Sequence, residues 1–142
     1  MIAPAEELFA LVADPRRHHE FDGSGTVQRT LDVSDDVVGL GTTFGMSMKM
    51  GVPYSMKNTI VEWEPGRRVA WRTEGGKAWM NRLLGGRVWR YEFEPRDDGT
   101  LVRETWDVSQ EKFPLLVKPL AGATRKNMAK TLERLAELTE SS

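Results

Sequence analysis

VWRYEFEPRDDGTLVRETWDV, residues 88–108, decides the fold. On either side of Asp98-Gly99 apolar and charged residues alternate at period two, which is the pattern of a β-hairpin around an Asp-Gly turn. Centred there, the ribbon places Glu94 opposite Arg103 and Arg90 opposite Asp107 on one face. The other face pairs Phe93 with Glu104, Tyr91 with Trp106 and Trp89 with Val108. The first face suits water. The second is too aromatic to stay exposed and must meet a core, a partner or a ligand. Glu104 breaks its chemistry: a carboxylate among rings needs a donor, a water or a ligand, or its pKa rises. Tyr91 and the indole nitrogens offer donors, and three roles follow for it, namely a structural network with the long helix or a buried water, orientation of a ligand, or general acid and base work.

Upstream of the ribbon the same period recurs. VQRTLDV (27–33), TTFGMSMKM (42–50), YSMKNTIVEW (54–63) and RVAWRT (68–73) read as further strands, separated by glycine-rich or acidic turns and by Gly51-Val52-Pro53. Phe44, Met46, Met48 and Met50 share one side of their strand, and Val69 and Trp71 one side of theirs. Methionines so placed serve equally as adaptable core filler or as lining for an irregular hydrophobic ligand. Residues 74–86, EGGKAWMNRLLGG, carry Trp79, Met80, Leu83 and Leu84 between glycines. That segment is either a covering loop or a short lid over a pocket.

The ends read as helices. APAEELFALVADPRRHHEF (3–21) offers proline and acids at a first turn, apolar Leu8, Phe9, Leu11 and Val12, and a stop at Asp14-Pro15, so two short helices precede the sheet. From about Ala121 to Thr139 Met128, Leu132, Leu135 and Leu138 form the apolar side of a long helix, with Leu116, Val117, Leu120 and Thr124 leading into it. A sheet with one aromatic face and one long amphipathic helix implies a curved sheet gripping that helix, an α+β architecture in one domain spanning residues 1–142.

Composition narrows the function. The 142 residues, 39% hydrophobic and 29% charged, suit a water-soluble chain able to bury roughly two thirds of its unfolded surface. No apolar run is long enough to cross a bilayer, and MIAPAEELF lacks the marks of an export leader, so the expectation is a cytoplasmic protein without integral membrane association. Cysteine is absent, which removes thiol nucleophiles and cysteine metal sites. Adjacent His18 and His19 point apart and make a poor metal clamp; surface or helix-packing roles fit them better. With a net charge of -1 and no concentrated basic face, nucleic acid is not an expected partner. GLG at 39–41 is too little for a dinucleotide loop, and neither a phosphate-binding loop nor a serine nucleophile elbow occurs. No cofactor and no metal are therefore expected.

Three segments resemble the polyketide cyclase/dehydrase and lipid-transport group of the START-like (SRPBCC, helix-grip) superfamily: IAPAEELFALVADPRRHHEF (2–21), VEWEPGRRVAW (61–71), and VWRYEFEPRDDGTLVRETWD (88–107) followed by TLERLAEL (131–138). The resemblance implies a seven-stranded antiparallel sheet around the C-terminal helix and a deep cavity between them. Only Met1 to Ala3 precede Pro4 where the family has a full strand, so this first strand is short or missing and the sheet edge there is open, covered, or completed by a second subunit in a homodimer. By the same resemblance the cavity is lined by Phe44, Met46, Met48 and Met56 from the early strands, and by Trp71, Trp89, Tyr91, Phe93, Glu104 and Trp106 from the later ones. Trp79 and Leu83 join from the 74–86 segment, and Leu120, Thr124 and Met128 from the helical end. The expected occupant is a hydrophobic small molecule, a lipid, polyketide or other flat ring system. No catalytic set is matched; Glu104 and Tyr91 are the candidates should the protein be an enzyme, and a cavity filled by its own side chains would leave a structural or interaction role.

Overall fold

A computed structural model describes residues 1–23, 27–31, 33–50, 52–75, 85–111 and 113–140. Pro4 stands at the N-cap of helix α1 (Ala5–Ala13), with Glu6 and Glu7 in the first turn where the helix dipole favours negative charge. Leu8, Phe9, Leu11 and Val12 are its buried side. Asp14 closes α1 and its carboxylate accepts from the Arg16 backbone N–H at 3.0 Å, opening the 3-10 turn Pro15–Arg17 and then α2 (His18–Phe21). These are the two short helices that the sequence implies.

Six strands follow: β1 (Val27–Leu31), β2 (Thr43–Met50), β3 (Val52–Glu64), β4 (Arg68–Gly75), β5 (Gly85–Arg96) and β6 (Gly99–Asp107). They form one antiparallel meander in chain order, wrapped around α4 (Ala121–Glu140), which the helical turns α3 (Pro114–Val117) and Lys118–Leu120 introduce. Val52 and Pro53 belong to β3 rather than to a connection before it, because they already pair with Met50 and Lys49 of β2. Between Ile60 and Glu62 the register to β4 shifts, so Val61 is an extra residue. That bulge keeps Ile60 and Trp63 on the same side, opposite Trp71 and Val69.

The β5–β6 hairpin is real, but its pairing corrects the expected one. Arg96 pairs with Gly99, so the two-residue turn is Asp97-Asp98 and every partner slides by two: Tyr91 faces Glu104, Trp89 faces Trp106, Phe93 faces Val102, Glu92 faces Arg103, and Arg90 faces Thr105. The reason lies at Gly99. Its φ of +154° and the 2.0 Å separation that a Cβ would have from the Met1 carbonyl oxygen make it the strand residue over which the N-terminus crosses. Because the slide is even, each side chain keeps its face.

The seven strands implied by the resemblance are six among the described residues. Met1 exchanges both backbone hydrogen bonds with Thr100, at 2.7 Å each, and the Thr100 hydroxyl donates to the Ala3 carbonyl at 2.8 Å, so Met1 to Ala3 cover the start of the β6 edge. On the outer face Arg90 reaches over the small Ala70 to Glu62, with Nε to Oε1 at 3.0 Å, and lies 3.8 Å from Asp107. Arg68 joins Glu62, Glu64 and Glu92 in the same charged lattice.

Helix α4 turns a slightly different side inward than its leucines suggest. Leu135 and Thr131 are buried, Met128 and Leu132 half-buried, and Leu138 is 36% exposed. Thr131 gains its place through Gly23: the Gly23 N–H donates to the Thr131 hydroxyl at 2.8 Å, and that hydroxyl donates to the Asn127 carbonyl at 2.9 Å. A Cβ on Gly23 would sit 2.5 Å from the Asn127 carbonyl, so only glycine allows this approach. Among the described residues no helix is long and apolar enough to cross a membrane.

Candidate functional site

The inward face of the sheet carries one continuous buried cluster, which includes Phe44, Trp71 and Tyr91. Beside α1 it is a dense apolar core, where Leu8, Phe9, Val12, Ile60, Val69, Phe93 and Leu135 join one buried cluster. Phe9 stands edge-on to Trp63 and Phe93, with ring centroids 5.1 and 6.1 Å away. Along the strands from there, rings continue but polar atoms appear among them. The His18 imidazole stacks on Trp71 at 4.6 Å, Trp71 stacks on Tyr91 at 5.6 Å, and Phe44 meets both His18 and Trp71 edge-on. Trp89 and Trp106, paired across the hairpin, lie 6.3 Å apart.

Glu104 sits at the end of this belt. The Tyr91 hydroxyl donates to its Oε1 at 2.7 Å. Burial pushes the Glu104 carboxyl up to about 7; the Tyr91 bond pulls it down in part, and the charge of Asp22 pushes it up. Burial, followed by the Glu104 charge, raises the Tyr91 phenol well above its ordinary range, so Tyr91 remains a donor. Glu104 Oε2 and Trp106 Nε1, two residues apart on one face of β6, are both buried and have no hydrogen-bond partner among the described residues.

Two more polar groups share the interior. His18 is 4% exposed, and burial drives its pKa down to about 4, so the ring is neutral. Its Nε2 lies 2.8 Å from the Val12 carbonyl, which makes Nε2 the protonated nitrogen and leaves Nδ1 as an unpartnered acceptor. Asn58 accepts from the Thr73 hydroxyl at 2.6 Å, while its Nδ2 has no partner among the described residues. At the far end of β5 Glu111 is fully enclosed: it accepts from the Gly85 N–H at 2.6 Å and lies 3.5 Å from Arg87 Nε. Charge neutralisation explains that pair.

Of the residues proposed from sequence, Phe44, Met56, Trp71, Tyr91 and Phe93 are buried, and Trp89, Glu104, Trp106, Thr124 and Met128 are half-buried. Tyr91, Glu104, Trp71, Trp89 and Trp106 come together. Phe93 stands in the same buried cluster as Phe44, Trp71 and Tyr91, and edge-on to Phe9 of α1. Leu120 is 46% exposed rather than enclosed. The side chains of Met46 and Met48, and the whole of Trp79 and Leu83 with the lid reading of their segment, lie outside the described residues. His18 is the packing residue of the two expectations offered for it. Asn58 and Thr73 escaped notice, although Asn58 has the same strand parity as Met56 and Ile60; nothing local in the sequence points to Glu111. A shallow groove of about 340 Å³ beside α1, lined by Phe9, Val38 and Trp63, offers no comparable polar set, since its Arg16 is engaged by Asp14 and the Asp35 carbonyl.

Residues 2–140 match the family model described as polyketide cyclase / dehydrase and lipid transport. The chain belongs to that family. The uncharacterized protein Rv0088 of Mycobacterium tuberculosis is 38% identical over 97% of this chain, and the chain spans 59% of that relative's length. Among solved structures, protein MLL2253 from Mesorhizobium loti superposes with a TM-score of 0.71 at 14% identity, covering 100% of this chain and 93% of that one. The di-domain ARO/CYC StfQ from the steffimycin biosynthetic pathway superposes with a TM-score of 0.70 at 15% identity, over 99% of this chain and 48% of that one. Likeness at such identities carries the helix-grip fold; the belt and its carboxyl come from this chain's own residues.

Proposed function

We propose that this family member binds a hydrophobic small molecule between the inward face of the sheet and α4, with rings for affinity and the Glu104–Tyr91 pair for orientation. The family and its fold are consistent with hydrophobic ligand binding or transport. One observation carries the reading: an aromatic belt, buried at Trp71 and Tyr91 and half-buried at Trp89 and Trp106, ends in polar atoms, Glu104 Oε2 and Trp106 Nε1, that find no hydrogen-bond partner among the described residues. Buried polar groups are nearly always hydrogen-bonded, so these atoms suit a ligand's polar end. Native mass spectrometry of gently purified protein tests for a retained molecule. A hydrophobic fluorescent probe then locates it: Met56→Trp and Trp71→Ala are expected to weaken its binding by at least about tenfold with the fold intact. Unchanged binding in both refutes the site.

A second reading, an enzyme of the polyketide cyclase or dehydrase kind, is favoured by the elevation of the Glu104 carboxyl to about 7, where an acid or base works best near neutral pH. Here Glu104 would carry the proton and Tyr91 would hold the carboxyl in place. Loss of turnover in Glu104→Gln with ligand binding retained supports it; equal turnover refutes it.

A further inference from the structure

We infer that the polar end of the ligand is an uncharged hydroxyl on a ring, a phenol or ring alcohol, held between Glu104 Oε2 as acceptor and Trp106 Nε1–H as donor, and that carboxylic acids are excluded. The inference rests on the proposed binding site and specifies what enters it.

The hydrogen-bond roles follow from the residues already bound. Tyr91 occupies Glu104 Oε1 at 2.7 Å, which leaves Oε2 facing the interior. An indole nitrogen only donates, so Trp106 Nε1 requires an acceptor. A hydroxyl is the smallest neutral group that satisfies both, since it gives one proton and offers two lone pairs. The two side chains are alternate residues on one strand face, about 6.6 Å apart at their Cα atoms, a span that one hydroxylated ring bridges. The neighbouring Trp71, Tyr91 and Trp89 rings supply flat walls for it.

Charge provides the exclusion. Among the described residues no lysine or arginine forms an ion pair with Glu104. The interior arginine nearest in the strand, Arg87, is committed to the enclosed Glu111, and Arg90 lies on the outer lattice with Glu62 and Asp107. Asp22 adds a second negative charge that Glu104 senses. A ligand carboxylate would thus enter a negative field with no cation among the described residues placed to meet it, and lose its hydration on the way. A fatty-acid-type head group is disfavoured on both counts, whereas a phenol loses nothing that Glu104 and Trp106 do not replace.

Calorimetric titration with 2-naphthol, naphthalene and 2-naphthoate at about pH 8 tests this with three probes that share one ring system. The expected order is naphthol tightest, at least about tenfold over naphthalene and about a hundredfold over naphthoate. In Glu104→Gln the naphthol-to-naphthoate ratio should fall by about tenfold or more, and in Trp106→Phe the naphthol-to-naphthalene ratio should approach one; near-ultraviolet circular dichroism checks that each variant is folded. Naphthoate binding as tightly as naphthol, or ratios unmoved in both variants, overturns the inference while leaving a hydrophobic site standing. Binding of none of the three probes overturns the site and the inference together.

Discussion

Replacing Glu104 with glutamine removes an interior carboxyl that titrates near neutrality and should change how stability depends on pH. In the folded chain this group loses its proton near 7, against 4.5 in an unperturbed side chain. A raised carboxyl pKa means that the folded state holds the proton more tightly than the unfolded one. The associated stability is fully present below about 4.5 and drains away as pH rises through about 7. At 1.36 kcal/mol per unit, the shift corresponds to about 3 kcal/mol, an upper figure because the side chain is only half-buried. His18 acts in the opposite sense: its pKa falls from 6.5 to about 4, so its contribution is present above 6.5 and is lost on acidification. Between about 4.5 and 6.5 the two slopes oppose one another in the parent chain. Glu104→Gln leaves the histidine slope alone. Urea unfolding followed by tryptophan fluorescence, in half-unit pH steps, should show the variant gaining about 2 to 3 kcal/mol over the parent from pH 4 to pH 8. The subtraction cancels carboxylates such as Glu62 and Asp107, which titrate alike in both proteins. A difference that stays flat across that range refutes the burial argument for Glu104.

Tyr91→Phe deletes the donor to Glu104 and should raise the carboxyl midpoint by about one to two units, read by carbon-13 NMR of labelled glutamate; an unmoved midpoint refutes the hydrogen bond. Gly23→Ala forces a methyl against the Asn127 carbonyl and should cost about 1 to 3 kcal/mol in thermal or urea unfolding, and a neutral substitution would mean that α2 and α4 do not meet as described. Glu111→Ala should cost about 3 kcal/mol, because it leaves the largely buried Arg87 without its partner; Arg87→Ala in the same background should recover part of that loss, and an absence of coupling refutes the pair.

Much of the architecture was legible because strand parity and helix period are local properties of sequence. Tyr91, Glu104 and Trp106 could be assigned to one face without knowing their partners, and the family segments carried the rest of the strand order. Pairing was less legible, since the hairpin slide is set by the N-terminus crossing Gly99, a contact between residues nearly a hundred positions apart. Helix α4 shows the same limit: its leucines predicted a hydrophobic stripe, but a hydrogen bond from Gly23 selects Thr131 for burial and leaves Leu138 at the rim. For His18 the sequence offered a packing role but not the groups it packs against. Its environment is made by Trp71, Phe44 and the Val12 carbonyl, none of which a dipeptide of histidines announces.

The two-residue reversal at Asp97-Asp98 makes the ribbon sensitive to odd and even changes in its length. Adding a pair of residues there would lengthen the tip while leaving the rings beneath the helix. A single added residue, if the far strand moved in step, would turn Glu104 and Trp106 outward and bring Arg103 and Thr105 in, converting a lipophilic lining into a charged one. For this chain, arithmetic parity at a surface loop guards the chemistry of the interior.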